Sequence, residues 1–438
     1  MSELPKGWVQ CRLGDVLTLI NGRAYNKDEM LVDPNSGVPI LRIQNLNGGD
    51  NWFYSDLDLA EDKYCYKGDL LFAWSATFGP YWARWDKTIY HYHIWLIKPS
   101  TLLTKKFAFY VLQNITASIK AAAHGVAMPH MTKNGMENWS IGIPSLIQQT
   151  RIVEKLDEVL AQVDTIKARL DSIPTILKRF RQSVLAAAVS GRLTEDEFKP
   201  NAFLTLGETG IEIKTGPFGS ALHKSDYIEA GISVINPMHI NDGFIQPSTQ
   251  MTITQEKFSS LSAWHLKNGD VVVGRRGEMG RAAVVRNIES RPLLCGTGSM
   301  ILRGNENINP DYLCFIIRSP VAVSYFNSTS VGSTMVNLNQ QVIKKLRVYF
   351  PSLSKQKEIV SLVNQYFAFA DTIEAQVKKA QARVNNLTQS ILAKAFRGEL
   401  VAQDPSDEPA EKLLERIAQA RKEAEALAKA AKKVAKTK

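Results

Sequence analysis

A helical stretch that occurs twice, in phase, constrains this chain more than any other feature of its sequence. The first copy runs from Ile143-Pro144-Ser145-Leu146 through Gln182-Ser183-Val184-Leu185 to Gly191-Arg192-Leu193, and the second from Phe350-Pro351-Ser352-Leu353 through Gln389-Ser390-Ile391-Leu392 to Gly398-Glu399-Leu400. Pro144 and Pro351 are 207 residues apart, and so are Gly191 and Gly398. Within each copy apolar residues step by four and three: Ile152, Leu156, Val159, Val163, Ile166, Leu170, and Ile359, Val363, Tyr366, Ile373, Val377. That spacing is a coiled-coil seam, a narrow apolar stripe that needs a partner helix, and the obvious partner is the other copy. Some 40 residues at about 1.5 Å each make a rod of roughly 60 Å.

Around the two helices the chain divides into five stretches: a first globular domain over 1–142, a helical spacer over 143–200, a second domain over 201–349, a second spacer over 350–402, and a basic, Ala-rich tail over 403–438. Each domain alternates short strands with Gly, Asn, Asp and Pro breaks, the pattern of an α+β fold. Strands are predicted at 38–43, 69–74 and 89–97, and a helix at 106–120. The second domain repeats the layout with looser offsets: Leu206-Gly207-Glu208 answers Leu13-Gly14-Asp15, and Asn268-Gly269-Asp270-Val271-Val272 answers Lys67-Gly68-Asp69-Leu70-Leu71. The expected architecture is two similar α/β domains separated by two long antiparallel coiled-coil helices, with an internal pseudo-twofold repeat. Similar scaffolds with divergent loops suggest similar tasks on different targets.

The net charge of +10 points to a polyanionic partner, but nine Lys or Arg against four Glu place half of it in the last 28 residues. Such a segment reads as a solvated helix or frayed extension. Cys11, Cys65, Cys295 and Cys314 show no metal-ligand spacing, and no apolar run approaches membrane-spanning length, so a cytoplasmic chain with reduced thiols is expected.

Catalytic motifs are missing. Asn309-Pro310-Asp311-Tyr312 lacks the second proline of an amino-methyltransferase loop and reads as a turn before a helix; Gly274-Arg275-Arg276-Gly277-Glu278-Met279-Gly280 lacks the phosphate-loop spacing. Asp196 with Glu212 and Lys214 imitates a magnesium nuclease, yet Glu212 and Lys214 alternate as any half-solvated strand does. His91 and His93, flanking Tyr92, read as a packed aromatic strand and not as metal ligands.

The residues suited to contact with a nucleic acid, if that is the polyanionic partner, lie on polar loops at matching places in the two halves. Arg275, Arg276 and Arg281 gather around glycines after a strand, where backbone can approach phosphate and Arg can pair with guanine; the matching loop of the first domain offers Ser75 and Thr77. Arg42, Asn45 and Asn47 stand against Asn236, His239 and Asn241, amide and imidazole groups of the kind that pair with adenine. Arg23 and Lys27 face Lys214, Ser220 and Lys224, and His130 matches Asn337 in a later loop. No cofactor or metal is expected.

Beyond this physical reading, Glu154-Lys155-Leu156-Asp157, Leu160-Ala161-Gln162-Val163-Asp164 and Ile173-Pro174-Thr175-Ile176-Leu177-Lys178-Arg179-Phe180-Arg181-Gln182 resemble the central conserved region of specificity subunits of type I restriction-modification systems. Leu4-Pro5-Lys6-Gly7-Trp8 and Ala395-Phe396-Arg397-Gly398-Glu399-Leu400-Val401, with the acidic run to Ala410, are similar to the same family. The resemblance implies a non-catalytic DNA-binding subunit in which each target-recognition domain reads one half of a split, asymmetric site in double-stranded DNA. It also implies that the helices fix the gap, that two methyltransferase subunits dock, and that restriction and translocase subunits complete the complex. A different class of function, a coiled-coil assembly scaffold binding DNA non-specifically through its basic tail, predicts instead that removing 411–438 abolishes DNA association.

Overall fold

The computed structural model describes residues 4–75, 77–100, 103–122, 132–194, 203–218, 220–329 and 338–435. It divides into two compact units, Met1–Leu170 with Ala380–Lys438, and Asp171–Lys379.

The first unit is built on two sheets. Leu17–Asn21, Ile94–Pro99, Leu70–Ala73 and Gly79–Trp82 form one, antiparallel throughout and in that order. Phe53–Ser55, Val38–Leu41, Lys87–Tyr90 and Tyr64–Tyr66 form the other, in which Val38–Leu41 and Lys87–Tyr90 run parallel. The run Leu70-Leu71-Phe72-Ala73 is buried on both faces because strand side chains alternate. Leu70 and Phe72 join the core made with the helix Lys105–Ala122, while Leu71 and Ala73 join Leu41, Cys65 and Tyr90 from the second sheet. A two-stranded ribbon, Val9–Arg12 against Ser140–Ile143, closes the unit beneath its long helices.

The second unit repeats this plan. Glu212–Thr215, Ser299–Arg303, Val271–Gly274 and Ala282–Val284 form the first sheet; Thr252–Ile253, Ile232–Ile235 and Leu293–Cys295 form the second, again with one parallel pair. Val271 and Val273 face the core around the helix Pro310–Arg318, and Val272 faces Ile235 and Cys295. The ribbon is Phe203–Thr205 against Arg347–Tyr349. The expected strand over 89–97 is two strands, Lys87–Tyr90 and Ile94–Pro99, joined by a turn at His91-Tyr92-His93. Its aromatic composition masked a chain reversal. Likewise 38–43 is a strand only to Leu41, after which a helical turn begins at Ile43.

The long helices are Leu146–Val189 and Leu353–Phe396, 44 residues each. Both end on a left-handed glycine, Gly191 and Gly398, past which Arg192 N–H reaches Ala187 O at 3.0 Å and Glu399 N–H reaches Lys394 O at 2.9 Å. Only glycine adopts that conformation without strain, so the equal 207-residue spacing of the two stops is a spacing of helix ends. In the first unit Ile152 and Leu156 pack with Leu392 and Ala395. In the second, Val184 and Leu185 pack with Ile359, Val360 and Val363, while Arg181 binds Asp371 at 2.6 Å and Glu374 at 3.0 Å, and Phe180 stacks edge-on to Tyr366 at 6.2 Å. In each unit residues early in one helix meet residues late in the other, so the pair is antiparallel. Leu156, Val163, Leu177 and Val184, and Val363, Ala370, Val377 and Val384, are buried at sevenfold intervals. Leu170, on the same series, is only half-buried; the intervening seam positions are half-buried, as at Val159 and Ile373, or exposed, as at Ile166 (45%) and Tyr366 (43%).

A third helix, Ala410–Ala435, departs from the expected solvated tail. Ala410, Leu413 and Ile417 are buried in the first unit's core. The segment before it is tied down as well: Trp8 Nε1 donates to Gln403 Oε1 at 3.0 Å, Gln148 Nε2 donates to the carbonyls of Val401 and Ala402 at 3.3 Å, and Arg151 pairs with Asp407. Among the described residues no helix is long and apolar enough to cross a membrane.

Candidate nucleic-acid interface

Strand register makes three stations equivalent in the two units. The first is a helical turn that follows the central strand of the second sheet. Asn45 Oδ1 accepts from Arg42 N–H at 3.1 Å, and His239 Nδ1 accepts from Asn236 N–H at 3.2 Å. In both, the side chain three residues on caps the backbone N–H that opens the turn, one half of a capping box built from different side chains. Asn45 also donates to the carbonyls of Gly49 and Asn51, and both Asn45 and His239 are buried, so they shape their loops from inside. Burial lowers the pKa of His239. Arg42 lies half-buried over Phe53, 4.3 Å from the ring centroid, with Nη2 on Asn51 O.

The second station is the residue after the first sheet's central strand. Trp74 N–H donates to His93 O at 3.1 Å, and Arg275 N–H donates to Gly298 O at 3.0 Å. Trp74 and Arg275 therefore occupy one place in the framework. Arg275 is only 8% exposed, and its guanidinium lies 5.8 Å from the Phe218 ring centroid. Its neighbour Arg276 is exposed, while Arg281 is held by Glu278 at 3.0 Å and by Pro237 O at 3.2 Å.

The third station is the turn between the parallel strand and its return: His91-Tyr92-His93 in one unit, Gly296-Thr297-Gly298 in the other. His91 N–H donates to Leu41 O and Gly296 N–H to Ile235 O, at 3.0 and 2.9 Å. The His91 and His93 rings lie 5.0 Å apart. Burial, then the proximity of His93 and Arg42, pushes His91 down to about 4, so this imidazole is uncharged at neutral pH.

The remaining candidates flank these stations. Lys27 and Lys224 begin equivalent short 3-10 turns and are exposed, as is Ser220. Arg23 forms a two-point pair with Glu29, at 2.6 and 3.1 Å. Asn47 donates to Thr77 Oγ1 at 2.7 Å and accepts from Tyr81 at 3.2 Å, linking two loops; Ser75 is half-exposed beside them. Asn241 donates to Gln246 Oε1 at 3.1 Å, Asn236 Oδ1 accepts from Gly298 N–H at 3.4 Å, and Lys214 is half-buried on its strand. His130, Asn337 and Asp196 lie outside the described residues. Glu212 sits 3.6 Å from the Arg303 guanidinium, and among the described residues no group of three or more His, Cys, Asp or Glu is arranged for a metal ion.

Sequence reasoning passed over Tyr92, Phe218 and Met238, which are 40%, 65% and 60% exposed. Two apolar residues on turn-rich loops, and an aromatic inside an assumed strand, carry no polar signal; the structure places Tyr92 on the third station's turn, Met238 on the first station's turn and Phe218 against Arg275 of the second.

The fold agrees with three comparisons. Residues 5–175 and 212–381 each match the family model described as the type I restriction modification DNA specificity domain. The specificity subunit of type I restriction enzyme EcoBI from Escherichia coli is 32% identical over 92% of this chain and 88% of its own length. The EcoKI specificity subunit from Escherichia coli strain K12 is 31% identical over 93% and 92%. The crystal structure of the HsdS subunit from Thermoanaerobacter tengcongensis shares the fold with a TM-score of 0.55, covering 91% of this chain and 98% of that one at 20% identity. With its domain present twice and relatives aligned almost end to end, the chain belongs to the family of type I restriction-modification DNA specificity subunits.

Proposed function

We propose that this chain is the non-catalytic, cytoplasmic DNA-reading subunit of a type I restriction-modification complex. Each unit's domain reads one half of a bipartite asymmetric site in double-stranded DNA. The antiparallel helices set the gap between the halves and dock two methyltransferase subunits, to which restriction and translocase subunits add in the full complex. The observation that carries this reading is the pairing of one hydrogen-bonded framework with two different sets of side chains: Trp74 against Arg275, His91-Tyr92-His93 against Gly296-Thr297-Gly298, Arg42 and Asn45 against Asn236 and His239. A framework kept while its loop chemistry changes is what two readers of different half-sites require.

Lys27, Lys224 and Arg276 are suited to phosphate, Ser75, Thr77, Asn47, Ser220 and Asn241 to base edges or sugar. Arg42, Asn236 and Arg281 support those loops from the side, and Lys214 stands half-buried on its strand.

Co-expression with the methyltransferase partner, followed by genome-wide mapping of methylated adenine, tests the reading. Two short defined sequences around a fixed unspecified gap are expected. A stable, methylation-competent complex that yields no such motif would overturn it.

A further inference from the structure

At the third station the two units fill the same space from opposite sides. In the first, the turn itself is bulky. Trp74 stacks on Trp95 at 5.9 Å and 20°, His93 meets Trp74 edge-on at 5.2 Å, and Tyr92 stands at the end of this ladder, 3.9 Å from the His93 ring centroid. The Tyr92 backbone is pinned at both ends: its carbonyl accepts from Trp74 Nε1 at 2.8 Å and its N–H donates to Arg23 O at 3.0 Å. A 40%-exposed ring on a backbone held this way is preorganised, not frayed.

In the second unit the turn is bare and the neighbouring loop closes over it. A Cβ at Gly296 would lie 2.3 Å from Asn236 Oδ1, and one at Gly298 would lie 2.8 Å from Pro237 Cδ. The loop Asn236-Pro237-Met238 therefore takes the room that the two histidines take in the first unit, and Met238 emerges 60% exposed. Phe218, 65% exposed, lies against Arg275, whose backbone N–H donates to Gly298 O of this turn. Scattered exposed apolar side chains need no explanation. Here they occur on or against the station loops of both units, by two different constructions, and each unit also carries exposed cations on its loops, Lys27 in one and Lys224 and Arg276 in the other.

We propose that Tyr92 in the first unit, and Phe218 with Met238 in the second, are apolar specificity contacts to DNA that press on nucleobases, either on a thymine methyl or into an opened base step. This rests on the DNA-reading function proposed above. The exposed Lys27, Lys224 and Arg276 supply the phosphate attraction that brings the domains to the duplex, and the tips supply discrimination. Apolar side chains have no favourable contact with a phosphate, but match the methyl face and the stacked face of a base.

The test compares methylated-adenine maps and initial methylation rates for the complex with its methyltransferase partner, wild type and variant side by side. Tyr92→Ala is expected to broaden base preference within one half of the motif and slow methylation of the original sites about tenfold or more, leaving the other half unchanged. Phe218→Ala combined with Met238→Ala should do the same to the opposite half. Tyr92→Phe should keep the wild-type motif, and Val32→Ala and Val321→Ala, equally solvent-facing apolar positions, should change nothing. Wild-type motif and rate in Tyr92→Ala would overturn the proposal. So would a uniform rate loss with both halves' preferences intact, which would assign the ring a merely structural or phosphate-level role. A wild-type complex without any bipartite motif would instead overturn the DNA-reading function, and the tips' role with it.

Discussion

Gln149 and Gln356, 207 residues apart, have the same job in their units. Gln149 donates to Pro144 O at 3.2 Å and accepts from Thr104 N–H at 3.4 Å; Gln356 donates to Pro351 O at 2.8 Å and Asn307 O at 3.1 Å and accepts from Asn309 N–H at 2.8 Å. Each is fully buried and joins the first turn of a long helix to the capping residue of its domain's own helix. Replacing either by Ala orphans buried backbone groups, and a loss of about 2–3 kcal/mol is expected in thermal or denaturant unfolding of the affected unit. A titration prediction comes from His91. Its folded-state pKa of about 4 lies below the ordinary 6.5, so the unfolded chain takes up a proton that the folded chain refuses. The associated stability is present above pH 6.5 and drains as pH falls towards 4; His91→Gln should flatten that part of a plot of unfolding midpoint against pH. At this scale the sequence was only half legible. The residue types at 42, 45, 236 and 239 could be seen to correspond, but not that Asn45 and His239 turn inward as caps, or that Arg275 is buried. Those outcomes depend on hydrogen bonds made three residues away or across a ladder.

The helices were the most legible elements, since a heptad stripe and a glycine stop are local patterns that state their own consequence. What periodicity could not tell is that at most one seam position per heptad is deeply buried along the middle of each helix, with Ile166 and Tyr366 at the alternate position exposed. Partner choice and interhelical distance decide that. Pro174 lies within the continuous Leu146–Val189 helix, so the missing backbone donor is accommodated without ending it. If these helices set the gap, a four-residue insertion after Ala168 lengthens the rod by about 6 Å and rotates the C-terminal part of the helix by about 40°. The methylated motif should then show both half-sites unchanged and an altered gap. An unchanged gap would mean that the helices do not measure it.

For the whole molecule, the tail matters more than its charge suggested. Its composition is dominated by Ala, Lys and Glu, and the average hid the few apolar residues, Leu413 and Ile417 with Leu414 packed beside them, that complete the first unit's core. Removing everything from Glu411 onward therefore confounds loss of charge with loss of core. A cut after Ala420 removes most of the basic residues and keeps the packing. Under the DNA-reading function, the shorter deletion should preserve sequence-specific methylation, while the longer one should lower the unfolding midpoint of the first unit and reduce soluble yield. The two units also differ in how they are threaded. The second is one uninterrupted stretch, Asp171–Lys379, whereas the first needs both Met1–Leu170 and Ala380–Lys438. A ribosome makes the first domain early but delivers its closing helix, and the Gln403 that binds Trp8, only after the whole of the second unit. The domain made first is thus the last to be finished, and a chain that stops short of residue 417 is marked by an open core before it can be assembled onto anything.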